Sequence, residues 1–157
     1  VVPIMSEMVC STDTRFGKAK DFMDIVERIC KAKIICTIED AEPIGPKNLL
    51  DALVIAPCTG NTLSKMANGV NDTCVTMAAK ATLRNLKPVI IGVSTNDGLG
   101  GSAKNIGMLL NNKHIYFVPF SQDDPIKKSN SLIAKMEYIT PTLIAALDGE
   151  QLQPILM

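Results

Sequence analysis

Positions 53–72 read L-V-I-A-P-C-T-G-N-T-L-S-K-M-A-N-G-V-N-D, and this stretch constrains the fold more than any other. An apolar, strand-like run over 53–56 stops at Pro57. A short polar loop follows, made of Cys58, Thr59, Gly60 and Asn61. Leu63, Met66 and Ala67 then fall on one face of a helix. A strand that turns tightly into a helix is the repeating unit of an open α/β sheet, and such sheets bind ligands just beyond the carboxyl ends of their strands. Here that end carries small hydroxyl, amide and backbone N–H groups, in front of a helix N-terminus that favours negative charge. The segment is therefore a candidate phosphate- or carboxylate-binding corner. An ordinary strand-to-helix connection, which every parallel α/β protein needs several times, uses the same residue types.

The rest of the chain extends the alternation. Strand patterns occupy 1–5, 34–38, 53–56, 88–93 and 115–118. Helical spacing runs over about 16–30, 62–68, 73–86, 102–110 and 130–147, with Pro141 expected to kink or split the last. Loops are expected over 41–46 and over the charged stretch 120–129. These elements predict one α/β domain over 1–157: a three-layer α/β/α, Rossmann-like parallel sheet with right-handed crossovers, its runs 53–56 and 89–93 fully buried. The chain opens on what reads as the second half of a strand. The expectation is an N-terminally truncated domain whose first strand–helix unit is missing, with that strand lying between 1–5 and 53–56.

Composition narrows the function classes. Apolar residues make up 46% and aromatics 4%, which implies an aliphatic core. Sixteen basic residues balance sixteen acidic ones, so bulk charge offers no attraction to nucleic acid or to an anionic membrane. No apolar run approaches membrane-spanning length. Five cysteines without a C-x-x-C pair read as reduced, mostly buried thiols in a cytoplasmic protein. The single histidine, His114, has no companion at metal-ligand spacing, so no metal site is expected.

Three strand ends are expected to converge on one cleft: Ser6; Ala56, Pro57, Cys58 and Thr59; and Ser94 with Asn96. Turn and cap chemistry would select the same short polar side chains. A competing signal is Gly98-Leu99-Gly100-Gly101-Ser102-Ala103, a G-x-G-x-x-A dinucleotide fingerprint with Asp123 twenty residues beyond its end. It would make the chain an NAD(P)-binding oxidoreductase. However, Thr95, Asn96 and Asp97 separate its first glycine from the strand, and too little chain follows for a full dinucleotide half. A glycine loop that turns or closes over the cleft is the alternative.

Ala56, Pro57, Thr59, Asn61, Thr62, Lys65, Ala67, Gly69, Val70 and Asp72 match the pattern A-P-x-[ST]-x-N-T-x-x-K-x-A-x-G-[IV]-x-D. In this the chain resembles the homo-oligomeric flavin-containing cysteine decarboxylases, a superfamily that also holds flavin prenyltransferases and the B subunits of dipicolinate synthases. The resemblance implies FMN or a related flavin at the strand ends, with Ser6 near its phosphate, Ala56, Pro57, Cys58 and Thr59 along it, and Ser94 beside it. It also implies that Asn61 and Asn96 face the substrate. Pro43 stands where the decarboxylases have a catalytic histidine. Their P-x-M-N clamp reads Val93-Ser94-Thr95-Asn96, and Ser94 replaces the prenyltransferases' arginine. These departures argue against cysteine decarboxylation and prenyl transfer.

The resemblance extends furthest toward the B subunits of dipicolinate synthase, through T-D-T-R-F-G-K-A at 12–19, D-A-E-P-I-G-P-K at 40–47, A-A-K-A-T-L-R-N at 78–85, S-T-N-D at 94–97 and I-Y-F-V-P-F-S-Q-D-D-P-I-K-K at 115–128. That branch implies one component of an oxidoreductase. It would help a dehydrogenase-like A subunit, the bearer of NAD(P), to oxidise a dihydrodipicolinate-pathway intermediate to dipicolinate during endospore formation. The setting would be the cytoplasm of the mother cell and the substrate a small dicarboxylate. A non-catalytic, FMN- or anion-binding partner of that A subunit is the other reading. The resemblance also implies a homo-oligomer built on the helices that follow Asn61 and Asp72.

Overall fold

The computed structural model describes residues 1–157. Its centre is β2 (Val89–Thr95), whose Val89, Ile90, Ile91 and Val93 are completely buried. Each such side chain contributes roughly 1.5–3 kcal/mol relative to exposure. β1 (Leu53–Cys58) and β3 (Ile115–Phe117) both pair with β2 in parallel, Leu53 and Ile115 each lying beside Val89. The β1-to-β2 crossover carries α4 (Gly60–Ala67) and α5 (Cys74–Arg84), and α6 (Ala103–Leu110) links β2 to β3. The closing helix α7 (Ile139–Leu147) packs on β2 and β3. The result is an open α/β sheet.

Local chemistry explains the boundaries. Thr73 caps α5 with a reciprocal box, its hydroxyl taking the Thr76 N–H while Thr76 takes the Thr73 N–H. Such a cap contributes about 1 kcal/mol. Gly69, with φ of 70°, lets the chain leave α4 in the left-handed region. Pro141 kinks nothing, because α7 starts only two residues earlier and a first-turn proline loses no helical hydrogen bond.

The sheet is mixed rather than purely parallel. The stretch expected as a charged loop, together with the start of the expected last helix, forms an antiparallel hairpin of β4 (Phe120–Asp124) and β5 (Lys128–Ala134). Asp124 Oδ1 accepts the N–H groups of Ile126 and Lys127 and so closes the turn. Leu132, Ile133 and Met136 fit helical spacing, but β2 offers its unpaired end to Leu132 and Ile133, and strand pairing prevails. β1 also differs from expectation. It pairs with β2 alone, and although Leu53 and Ile55 are buried, Val54 is half-buried and Ala56 exposed.

The two N-terminal strand patterns meet in a single parallel bridge between Ile4 and Ile35, not in extended strands. This N-terminal segment also carries α1 (Glu7–Ser11), which packs on the amphipathic α2 (Ala19–Cys30), and α3 (Ile38–Ala41), which packs on α5. The expected loop at 41–46 is largely helical, α3 running into a turn of 3-10 helix at Glu42–Ile44. The bridge brings together the segments carrying Cys10 and Cys36, which form a disulfide, so the reading of five reduced thiols is corrected here. Cys30, Cys58 and Cys74 remain free. No helix is long and apolar enough to cross a membrane.

Candidate functional site

The carboxyl ends of β1 and β2 lie side by side, with Cys58 beside Val93. Burial there splits by residue. Cys58 is fully buried, and burial pushes its thiol up to about 12, which removes it as a nucleophile near neutrality. Ala56 and Pro57 are exposed on β1. Thr59 opens α4, but its hydroxyl faces the Thr62 hydroxyl at 3.4 Å and leaves the helix's first N–H groups uncapped.

Past β2 the chain folds around Asp97. Its Oδ1 accepts the Thr95 hydroxyl at 2.5 Å and the Ser102 hydroxyl at 2.8 Å, and its backbone carbonyl accepts the N–H groups of Gly100 and Ser102. These hydroxyls, Thr95 first, hold the Asp97 carboxyl below its ordinary range. Because the Ser102 side chain turns to Asp97, α6 also begins without a side-chain cap. α4 backs onto this knot so closely that a Cβ on Gly60 would lie 2.8 Å from Thr95 Oγ1 and 2.9 Å from Ser102 Oγ. Gly98 likewise backs onto Leu132, so this glycine serves close packing of loop and hairpin. It does not follow the strand directly, as a dinucleotide turn must.

Two cavities flank the knot and share Thr95 and Asn96 as a wall. The first, of about 340 Å³, brings together Thr59, Ser94 and Asn96 with Leu132 and Ile133 from the hairpin, and Asp123 and Ser131 complete its rim. Asp123 is ion-paired with Lys128 at 2.7 Å. The second cavity, of about 510 Å³, brings Asn61 and Asn96 together with Gly60, Ser64 and Asp97, and with Ser102, Lys104 and Asn105 from the start of α6. It has no apolar side chain in its lining.

Four of the expected residues thus meet: Thr59, Ser94 and Asn96 in one cavity, Asn61 and Asn96 in the other. Ala56, Pro57, Cys58 and Ser6 line neither. Ser6 precedes α1 next to Met5, whose carbonyl accepts the Cys74 thiol at the start of α5. Pro43 sits in the Glu42–Ile44 turn against α5, away from both cavities. Sequence reasoning missed Asp97, Lys104 and Asn105. The signal for Asp97 was present, a carboxylate two residues past a strand-end threonine and five before a serine. No group of three His, Cys, Asp or Glu side chains is placed to hold a metal ion.

The flavoprotein family pattern matches residues 33–139. The dipicolinate synthase B subunit of Bacillus subtilis is 49% identical over all 157 residues, which span 78% of that relative. The chain belongs to the family of dipicolinate synthase B subunits, within the flavoproteins. The crystal structure of the dipicolinate synthase B subunit from Bacillus halodurans superimposes with a TM-score of 0.92 at 49% identity, covering all of this chain and 80% of that one. A flavin prenyltransferase of Thermoplasma acidophilum is 42% identical over 43 residues, 27% of this chain and 24% of that protein. The FMN-dependent cysteine decarboxylase SpaF shares the fold alone, with a TM-score of 0.58 at 16% identity over 94% of this chain and 97% of its own. Membership in the flavoproteins supports a flavin cofactor. This member of the family places its candidate site on strand ends that are polar but carry no histidine.

Proposed function

We propose that this chain is the B subunit of a dipicolinate synthase, binding a flavin in the smaller cavity and a small dicarboxylate in the larger. It would work with an A subunit that carries NAD(P), in the cytoplasm of a sporulating cell, and as a homo-oligomer through α4 and α5. The observation that carries this reading is the pair of cavities on the shared Thr95–Asn96 wall, one partly apolar and one wholly polar.

The smaller cavity fits the edge of a flavin ring. Leu132 and Ile133 offer an apolar wall, while the Thr59 and Ser94 hydroxyls and the Asn96 amide offer donors and acceptors to a polar edge. A bound flavin supplies electron-pair acceptance there. The protein's part is to orient the acid beside it. In the larger cavity Asn61, the uncapped N–H groups of α4 and α6, and Lys104 favour a carboxylate.

A second reading, a non-catalytic binding partner, draws on the carboxylates. Asp97 is held below its ordinary range by two hydroxyls and Asp123 is ion-paired with Lys128, so neither cavity offers an unengaged carboxylate as a general base. Flavin absorbance of purified protein, and dipicolinate formation by the A subunit with and without this chain, separate the readings. Flavin with stimulation supports a catalytic role, and stimulation without flavin supports the partner role. No stimulation and no ligand binding refutes both.

A further inference from the structure

Three of the five cysteines meet around one backbone oxygen. The Met5 carbonyl accepts the Cys74 thiol at 3.1 Å, and Cys10 Sγ lies 3.6 Å from the same oxygen. Cys10 is bonded in turn to Cys36. The three sulfurs are not held alike. Met5 is fixed through its backbone, its N–H donating to the Ile35 carbonyl while the Ile35 N–H donates to Pro3, and Cys36 follows Ile35 directly. Cys74 opens α5 inside the reciprocal Thr73–Thr76 cap and is fully buried. Cys10 sits on α1, a helix of five residues with no buried side chain and no side-chain cap. Of the three sulfurs it has the least anchored carrier. Burial holds the Cys74 thiol above its ordinary value, against the pull of the Val75 N–H and with help from Glu7, so at rest it is protonated and shielded from outside reagents. Only a sulfur delivered from inside the fold reaches it, and Cys10 is already there.

We infer that Cys10 is a switchable sulfur that exchanges its disulfide partner between Cys36 and Cys74. The Cys74 thiol gives its proton to solvent, and the thiolate attacks Cys10 Sγ. The Cys10–Cys74 bond forms as the Cys10–Cys36 bond breaks, and Cys36 leaves as a thiolate that takes up a proton. The number of disulfides is unchanged, so this step needs no oxidant. The first bond forms by exchange with a small-molecule disulfide, which is reduced to two thiols while Cys10 and Cys36 are oxidised. A cytoplasm keeps thiols reduced, so a disulfide there is one that forms and breaks with the oxidants around it. The partner decides what α1 is strapped to. With Cys36 it is the segment leading into α3, and with Cys74 it is the start of α5.

The test uses the whole chain, equilibrated with oxidised and reduced glutathione, quenched in acid, alkylated and mapped by mass spectrometry. The wild type is expected to hold Cys10–Cys36 as its main disulfide and Cys10–Cys74 as its second, with Cys30 and Cys58 alkylated. In Cys36→Ser, with about 0.1 mM reduced glutathione, Cys10–Cys74 should exceed the Cys10–glutathione mixed disulfide roughly tenfold, because a tethered thiol presents an effective concentration of order 1 mM. Cys10→Ser should leave Cys36 and Cys74 unbonded to each other. A wild type in which Cys10 pairs with Cys36 alone in every buffer, or in which all the thiols stay free, overturns the inference. So does a folded Cys36→Ser whose Cys10 is captured by glutathione only. A Cys36–Cys74 bond in Cys10→Ser overturns Cys10 as the sulfur that switches. The wild-type map decides the matter even if Cys36→Ser does not fold.

Discussion

Gly60→Ala and Gly107→Ala add the same methyl group to two eight-residue helices and should act in opposite directions. At Gly60 the new Cβ would meet Thr95 Oγ1 at 2.8 Å, Ser102 Oγ at 2.9 Å and Asp97 Oδ1 at 3.1 Å, against an ordinary contact of 3.4 Å or more. The nearest atom must retreat by 0.6 Å, the difference between 3.4 and 2.8 Å. Both hydroxyls donate to Asp97 Oδ1, so neither retreats without straining its bond to that carboxylate. Overpacking of this kind costs about 1–3 kcal/mol. The better helix propensity of alanine offsets at most about 1 kcal/mol, and less at a first helical position. A net loss of about 2 kcal/mol lowers a urea midpoint by about 1 M for a slope near 2 kcal/mol/M. At Gly107 a Cβ meets nothing within 4 Å, so the propensity term stands alone and the midpoint should rise by about 0.3–0.5 M. Urea unfolding followed by circular dichroism reads both. Equal stability of Gly60→Ala and wild type, with intact binding in both cavities, would refute the close packing of α4 on the Asp97 knot.

Three more outcomes follow. Asn61 is exposed, so Asn61→Ala should weaken dicarboxylate binding roughly ten- to a hundredfold while the melting temperature stays nearly fixed; calorimetry and a thermal melt check the pair. The Cys58 thiol, raised to about 12 in the fold from 9.0, stays protonated where the unfolded chain ionises, so its contribution is complete below pH 9 and is lost as pH climbs toward 12. The full loss is about 4 kcal/mol, and Cys58→Ser should flatten it in alkaline denaturation curves. Asp97, depressed by the Thr95 and Ser102 hydroxyls, stabilises the knot above the ordinary carboxylate range and loses that contribution as pH falls through its folded value; NMR titration should find its carboxyl below the ordinary carboxylate range, and Thr95→Val should move it back up.

The parallel unit around β2 was legible because a buried parallel strand is apolar at nearly every position, and 89–93 is. The break between the helices at 62–68 and 73–86 was legible because the chemistry of Gly69 and Thr73 is local. The hairpin was not. Leu132 and Ile133 form a short apolar run that suits either period, and the deciding partner, the end of β2, lies nearly forty residues away in sequence. The same limit applies to the site. Asn61 and Asn96 were readable as polar strand-end residues, whereas Lys104 and Asn105 sit inside a helical pattern and reach the cavity only because α6 packs beside α4. The disulfide was hidden for a like reason, since a single bridge between Ile4 and Ile35 sets Cys10 near Cys36.

One strand, β2, pairs with β1, β3 and β5, and its last two residues, Ser94 and Thr95, form the floor of the smaller cavity. The amides of such a strand exchange with solvent only when the whole domain opens, whereas the turn at Ile126, 93% exposed, opens by itself. A ligand seated on Ser94 and Thr95 is therefore linked to global unfolding. Its occupancy slows deuterium uptake across Val89–Thr95 and leaves the hairpin tip as fast as before.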